Sequence, residues 1–287
     1  MSRQRLDNEL VRRGLVENRS QAQEVIKAGR VTVDGAPANK PSRMVALSQS
    51  LFVAGDPPLY VSRGGLKLEA ALDFFDINVS GLQAIDVGSS TGGFTDCLLQ
   101  HDAISVTAID VGRGQLHNRL FRDKRVTVYE RTNIRHVEPE EIGAPFDLLV
   151  ADLSFISLTA ILANLLDLVG DKSSMLLLVK PQFEVGKKFV GKGGVVRDLG
   201  AHLFALEGVI EASINVGFFP KGLIPSPLTG PAGNHEYLLW LGLENKNYFP
   251  KLEEFAKYCD FITYEFENIP LVFRLRALIH SNPFFNI

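Results

Sequence analysis

Asp86-Val-Gly-Ser-Ser-Thr-Gly-Gly-Phe-Thr-Asp96 joins a short apolar run to a segment with helical character. Glycine lets a ligand come close to the backbone, and the start of a helix offers unpaired N–H groups. Such a loop can serve dinucleotides, phosphates or S-adenosylmethionine. The spacing discriminates: Gly88, Gly92 and Gly93 do not make G-x-G-x-x-G, and no Gly-Lys-Ser/Thr follows. Both nucleotide-phosphate fingerprints therefore fail. Asp86, inside the run, suits the amino group of S-adenosyl-L-methionine, with Ser89, Ser90, Thr91 and Phe94 completing the loop. Asp110 closes the next apolar run, where a carboxylate can accept both hydroxyls of a ribose.

Four more polar residues stand at the ends of apolar runs: Lys67 in Ser62-Arg-Gly-Gly-Leu-Lys, Asp152 in Ala-Asp-Leu-Ser-Phe, Lys180 in Leu-Val-Lys-Pro-Gln-Phe-Glu and Glu236 in Gly-Asn-His-Glu-Tyr-Leu. A methyl on a sulfonium is already activated, so the protein must align the nucleophile and manage its proton. Lysines buried beside a sulfonium are candidates for that work, and two carboxylates would balance their charge. The expected division is that Lys180 deprotonates or orients a ribose 2′-hydroxyl and Asp152 holds Lys180. Lys67 and Glu236 then position the hydroxyl, and Asp152 also borders the cofactor. Other methylations fit less well. Asp152-Leu-Ser-Phe is not the Asn/Asp-Pro-Pro-Tyr of base-amine methylation, and neither cysteine is placed as a nucleophile for pyrimidine C5. The six histidines are scattered, and no metal-ligand cluster is expected.

The elements that must carry these groups follow from periodicity. Ala84–Val87, Val106–Asp110, Val126–Tyr129, Phe146–Ala151 and Met175–Val179 are continuous apolar runs, the pattern of a parallel sheet covered on both faces. A helix over about 201–215 and two strands near 216–224 and 236–243 follow. The fold class is thus α/β, a Rossmann-like doubly wound, seven-stranded and mostly parallel sheet, spanning 66–244. Before it, Leu6, Leu10, Val11 and Leu15 recur at helical spacing, and Gly14 ends that helix. Ser20 is placed to cap a second helix through Ala22, Val25 and Ile26 that Gly29 stops. Val31-Thr-Val-Asp-Gly-Ala-Pro reads as a hairpin, and Leu51-Phe-Val-Ala as a strand. Residues 1–58 are expected to be a small α+β domain and 59–65 a linker.

Net charge is −3, but residues 1–67 hold 11 Lys/Arg against 6 Asp/Glu. A basic block on an acidic protein points to an anionic partner. Arg3, Arg5, Arg12, Arg13, Arg19, Lys27, Arg30 and Arg63 are the candidates for phosphate contacts, which position RNA without reading it. No run nears the roughly 18 apolar residues that cross a bilayer, and Met1–Arg13 lacks the apolar core of a secretory signal. Two cysteines, Cys97 and Cys259, cannot make a disulfide framework, and a reducing cytoplasm is the simplest setting.

Three resemblances sharpen these readings. Arg3 to Leu15 and Arg19 to Gly35, with Lys40-Pro-Ser, resemble the S4 RNA-binding domain. The Gly88–Thr95 loop resembles that of ribose methyltransferases of the FtsJ class, which implies that Asn133 meets the adenine. Across residues 3–244, Val61-Ser-Arg-Gly-Gly-Leu-Lys, Asp86–Asp96, Asp110-Val-Gly-Arg-Gly-Gln-Leu, Asp152-Leu-Ser-Phe-Ile-Ser-Leu, Lys180-Pro-Gln-Phe-Glu-Val-Gly, Gly191-Lys-Gly-Gly-Val-Val-Arg-Asp and Ser226-Pro-Leu-Thr-Gly-Pro-Ala-Gly-Asn-His-Glu resemble the family called TlyA, or hemolysin A. That resemblance implies cytidine-2′-O-methylation of ribosomal RNA, with ribosomal subunits as partners and Lys67, Asp152, Lys180 and Glu236 as a catalytic tetrad. The alternative from another class is an assembly factor that binds RNA without turnover. Haemolysis would need a membrane-active element, and none is evident. Oligomeric state is not indicated. Residues 245–287 break the pattern. Leu252–Pro270 resembles a fragment of N5-carboxyaminoimidazole ribonucleotide synthase, and a dispensable remnant is expected there.

Overall fold

The computed structural model describes residues 3–16, 18–55 and 58–243; the tail expected at 245–287 lies outside the described residues. Two compact units divide at Leu59/Tyr60.

In the first unit, β1 (Arg3–Arg5) runs into α1 (Leu6–Arg12), and α2 (Arg19–Lys27) follows. Leu6 and Leu10, one helical turn apart, are fully buried against Ala22 and Ile26 of α2, as the period of 3.6 requires. Gly14 (φ 67°) and Gly29 (φ 70°) end the two helices in the left-handed region. The cap of α2 is Asn18 and not Ser20: its side chain accepts the Gln21 N–H, so the helix starts earlier than the sequence suggested. β2 (Val31–Val33) and β3 (Ala36–Pro37) form the expected hairpin; β4 (Met44–Ala46) pairs with β1, and β5 (Leu51–Val53) with β2.

The second unit opens with α3 (Gly64–Phe75), then β6 (Gln83–Val87), α4 (Gly93–Gln100), β7 (Ser105–Asp110), α5 (Asn118–Phe121) and β8 (Val126–Glu130). β9 (Phe146–Ala151), α6 (Leu162–Leu166), β10 (Val169–Val179), α7 (Pro181–Glu184), α8 (Leu199–Asn215), β11 (Phe219–Pro225) and β12 (Tyr237–Gly242) complete it. Part of the expected 59–65 linker belongs here. Tyr60 is buried against the ring-free face of Gly65, where a Cβ would stand 2.3 Å from the ring, and the Val61 N–H binds Asp96.

The seven strands lie in the order β11-β12-β10-β9-β6-β7-β8, and β12 is antiparallel to both neighbours. Ile85, Leu149 and Leu177 pack one face of this sheet, and Ala84, Leu148 and Leu176 the other. Burial on both faces explains their continuous apolar runs. Strand order switches direction at β6, between β7 and β9, the place where open α/β sheets leave a crevice at the strands' carboxyl ends.

Candidate active site

Register brings the polar residues to that one edge. Val87 pairs with Ala151, so Gly88 and Asp152 leave the sheet side by side. A Cβ on Gly88 would lie 2.9 Å from the Asp152 carbonyl oxygen, and φ there is 87°; only glycine fits. Val179 pairs with Tyr237, so Lys180 leaves β10 where Glu236 enters β12. Because β12 runs backwards, its beginning joins the ends of the parallel strands.

The four residues form two ion pairs. Lys67 Nζ donates to Glu236 Oε2 at 2.5 Å, with both residues buried. Lys180 Nζ lies 2.5 Å from Asp152 Oδ1, an ion pair rather than a directed hydrogen bond, and donates to Ser154 Oγ at 3.1 Å. Asp152 keeps a quarter of its side chain exposed, so this pair is the more open of the two. The loop after Asp152 is braced by Glu184 of α7, which accepts the Ser157 hydroxyl and the Leu158 N–H; burial pushes its carboxyl up.

The glycine loop folds tightly. The N–H groups of Gly88 and Ser89 both donate to Ile109 O, and Gly92 N–H donates to Ser89 O. Asp110 accepts the N–H groups of Ser90 and Gly112. Ser89, Ser90 and Asp110 line a small recess with Gly112, Gln115, Leu116, Tyr129 and Glu130. Gly112, Gln115 and Leu116 belong to the Asp110–Leu116 motif without an assigned role, and Tyr129 and Glu130 were not singled out in the sequence. Thr91 is exposed at the loop's tip, and Gly92, at φ 96°, passes under Leu120. Phe94 corrects an expectation. It is buried in the core among Leu68 and Leu98, because the first turn of α4 points it inward, so it supports the loop from behind. Gly93 likewise faces Ser62 and Gly64.

Asp86 is fully enclosed. Its Oδ2 accepts the N–H and hydroxyl of Thr95 at the start of α4, while Oδ1 has no hydrogen-bond partner. Burial, against the Thr95 bonds and with Asp152 and Asp110 nearby, pushes its carboxyl up to about 7. An orphaned acceptor, a cradle open only to glycine and a carboxylate beside the recess suit the ammonium, backbone approach and ribose of S-adenosylmethionine. The Asn133 side-chain oxygen accepts the Arg135 N–H and caps a short 3₁₀ turn.

One aromatic of the Asp152-Leu-Ser-Phe motif had no role assigned from the sequence. Phe155 is 92% exposed, holds φ 64°, and its ring centre lies 5.4 Å from that of Phe183, over which Lys180 Nζ sits. A strained, solvent-facing phenylalanine beside buried charge is unusual.

In the first unit the candidate basic residues divide. Arg5 and Arg19 donate to the buried Asp7, and Arg12 and Arg13 to the buried Glu9. Arg13 also reaches Leu47 O and Gln49 O, and Arg30 reaches Ala54 O, so both help hold the fold. Arg3 and Lys27 are exposed, as is Arg63 at the start of α3 in the second unit.

A switch-point crevice with a glycine cradle and paired lysines defines the methyltransferase class. The FtsJ-like methyltransferase family matches residues 60–243, and the S4 domain matches residues 4–50. Over 240 residues the chain is 49% identical to the 16S/23S rRNA (cytidine-2′-O)-methyltransferase TlyA of Mycobacterium tuberculosis, covering 83% of this chain and 90% of that one. It is 38% identical to Hemolysin A of Brachyspira hyodysenteriae, over 82% of this chain and 98% of the relative. A Streptococcus thermophilus structure described as a hemolysin superposes with a TM-score of 0.69 at 38% identity, over 93% of this chain and all of the other. The chain belongs to the TlyA family of FtsJ-like methyltransferases.

Proposed function

We propose that this chain transfers the methyl group of S-adenosylmethionine to a cytidine ribose 2′-hydroxyl of ribosomal RNA. The observation that carries the reading is the pair of ion pairs, Lys67–Glu236 and Lys180–Asp152, delivered by register to the edge that holds the glycine cradle. Bound cofactor supplies an activated methyl group; in the transfer the C–S bond breaks and an O–C bond forms as the hydroxyl proton leaves.

Lys180 belongs to the more open pair and is the residue we assign to the hydroxyl. As the neutral amine, its own proton first released to solvent, it orients the hydroxyl and accepts its proton as the O–C bond forms, becoming the ammonium again. Asp152 fixes the ammonium and borders the cofactor. Lys67 and Glu236, enclosed behind, complete the wall and keep the cluster neutral. Asp86 Oδ1 meets the cofactor's ammonium, Gly88, Ser89 and Ser90 its backbone-facing side, and Asp110 its ribose. Phe155 offers a face on which the target base stacks, a contact worth about 1–3 kcal/mol per base. The arginines anchored on Asp7 and Glu9, with Arg3 and Lys27, hold the RNA backbone. Ribosomal subunits are the partners, which places the work in the cytoplasm. Among the described residues no helix is long and apolar enough to cross a membrane.

The test is transfer of tritiated methyl to ribosomal subunits lacking the modification, wild type beside Lys180→Ala, with the labelled position mapped by alkaline cleavage. Label at an alkali-resistant position, reduced about 10²–10⁴-fold in the variant, is expected for loss of a proton-handling group. Label at an alkali-sensitive position would move the reading to base methylation. Tight binding without label would favour the assembly factor.

A further inference from the structure

Glu236 receives Lys67 on one oxygen, and something must hold the other side of its carboxylate. Gly230 stands there: a Cβ on it would lie 2.5 Å from Glu236 Oε1. Gly230 is held in turn by its N–H, which donates to the Asn234 carbonyl at 2.8 Å. Asn234 is 2% exposed and spends both ends of its side-chain amide on a segment far away in sequence. Its Oδ1 accepts the Val196 N–H, and its Nδ2 donates to Gly194 O, each at 2.9 Å.

The same segment is tied to the residue after Glu236. His202 Nε2 lies 3.0 Å from Val196 O, and its Nδ1 lies 3.0 Å from the Tyr237 hydroxyl. A carbonyl only accepts, so Nε2 carries the proton and Nδ1 accepts from Tyr237. Burial lowers the pKa of His202, which favours this neutral form. Glu236 is thus flanked on both sides by buried side chains fastened to Gly194–Val196. These bonds join Gly191-Lys-Gly-Gly-Val-Val to Gly233-Asn-His-Glu-Tyr, far apart in the chain.

We infer that Asn234 is a positioning residue for methyl transfer: its side-chain amide fastens to the Gly194–Val196 segment the turn whose Gly230 walls the Glu236 carboxylate onto Lys67. The inference rests on the proposed role of the Lys67–Glu236 pair. It requires two lesions of different kinds to act through one group. Asn234→Ala removes the side-chain bonds to Val196 and Gly194 that anchor the turn and leaves the backbone bond to Gly230, whereas Gly230→Ala leaves that anchor and pushes the carboxylate aside.

The experiment is single-turnover methyl transfer, with cofactor affinity measured by calorimetry, for Asn234→Ala, Gly230→Ala, Glu236→Gln and the two doubles carrying Glu236→Gln. Each of the first two is expected to lower the transfer rate about tenfold, the scale of a misplaced catalytic group, with cofactor Kd within about twofold. In the Glu236→Gln background both effects should vanish, because residues acting through one group are not additive. Losses that multiply with Glu236→Gln, or an unchanged rate in Asn234→Ala, would overturn the inference. An unchanged rate in Glu236→Gln would instead overturn the role of the pair itself. Should Asn234→Ala fail to fold, Asn234→Asp, which keeps the acceptor for the Val196 N–H and loses only the donor to Gly194 O, carries the same test with its own Glu236→Gln double.

Discussion

In the first unit the buried partners are acids and the exposed ones are bases. Asp7 and Glu9 are fully enclosed, while Arg5, Arg12 and Arg19 keep 39–56% of their side chains exposed. At the sheet edge of the second unit Lys67 and Glu236 are both inside. Each arrangement avoids an unpaired buried charge, which folding tolerates poorly. They differ in what the cation can still do. An arginine anchored at its inner nitrogens and open outside is set to meet a polyanion, whereas a lysine enclosed with its carboxylate keeps its attention on one point in space. Placement of the counter-charge, more than the cation itself, separates a holding surface from a reacting one.

Breaking the enclosed pair should cost most. Lys67→Met leaves Glu236 buried without a partner and is expected to destabilise the second unit by about 3–5 kcal/mol in urea melts. Arg19→Met leaves Asp7 with Arg5 and Gln23, and its loss should be about 1 kcal/mol or less. Equal costs would erase the distinction between the regions.

Next comes pH, where the two units should respond in opposite senses. Arginine hydrogen bonds hold the Glu9 carboxyl down at about 2 and Asp7 lower still. Their contribution is complete above the ordinary carboxylate range and is lost as pH falls from about 4.5 towards 2. Asp86 is pushed up to about 7, so the folded state binds its proton more tightly than the unfolded one. Its contribution to cofactor-free stability therefore declines as pH rises from 3.8 to about 7. Hydrogen exchange at pH 4 and 7 should register the Asp86 effect in the second unit, and Asp86→Asn should flatten it. Cofactor affinity should climb through pH 7 as Asp86 ionises to meet an ammonium; calorimetry with a flat profile would remove Asp86 from that role.

The smallest effects sharpen the comparison inside the first unit. Arg19→Ala should reduce the slope of log affinity against log salt for RNA by about 0.7–0.9, the value of one phosphate contact. Arg13→Ala should change that slope less and instead lower stability by about 1–2 kcal/mol, because its donors serve Leu47 O and Gln49 O.

Much of this was readable in advance, for identifiable reasons. Sheet strands covered on both faces are continuous apolar runs, and a polar residue closing one must lie at an edge; Asp110, Asp152 and Lys180 are visible on that ground. What stayed hidden depends on register and packing. Nothing local in Gly-Asn-His-Glu announces that Asn234 bonds to Gly194 and Val196, 38 to 40 residues earlier. Phe94 sits in the motif as though it faced ligand, and only the direction of α4's first turn sends it inward. Asn18 and Ser20 are both good caps, and tertiary packing chose the earlier one. Arg13 and Arg19 look alike as residue types; a carbonyl-rich turn beside one of them makes the difference.

The reversed strand β12 has a consequence for the newborn protein. It slots between β10 and β11 after every other described strand has been made, and it brings Glu236 to a lysine 169 positions earlier. Long-range closures of this kind come late in folding. Until the closure occurs Lys67 has no counter-charge, and the edge that handles the methyl group is incomplete. A chain made only as far as β11 therefore lacks the Lys67–Glu236 pair, and the last described strand completes the edge.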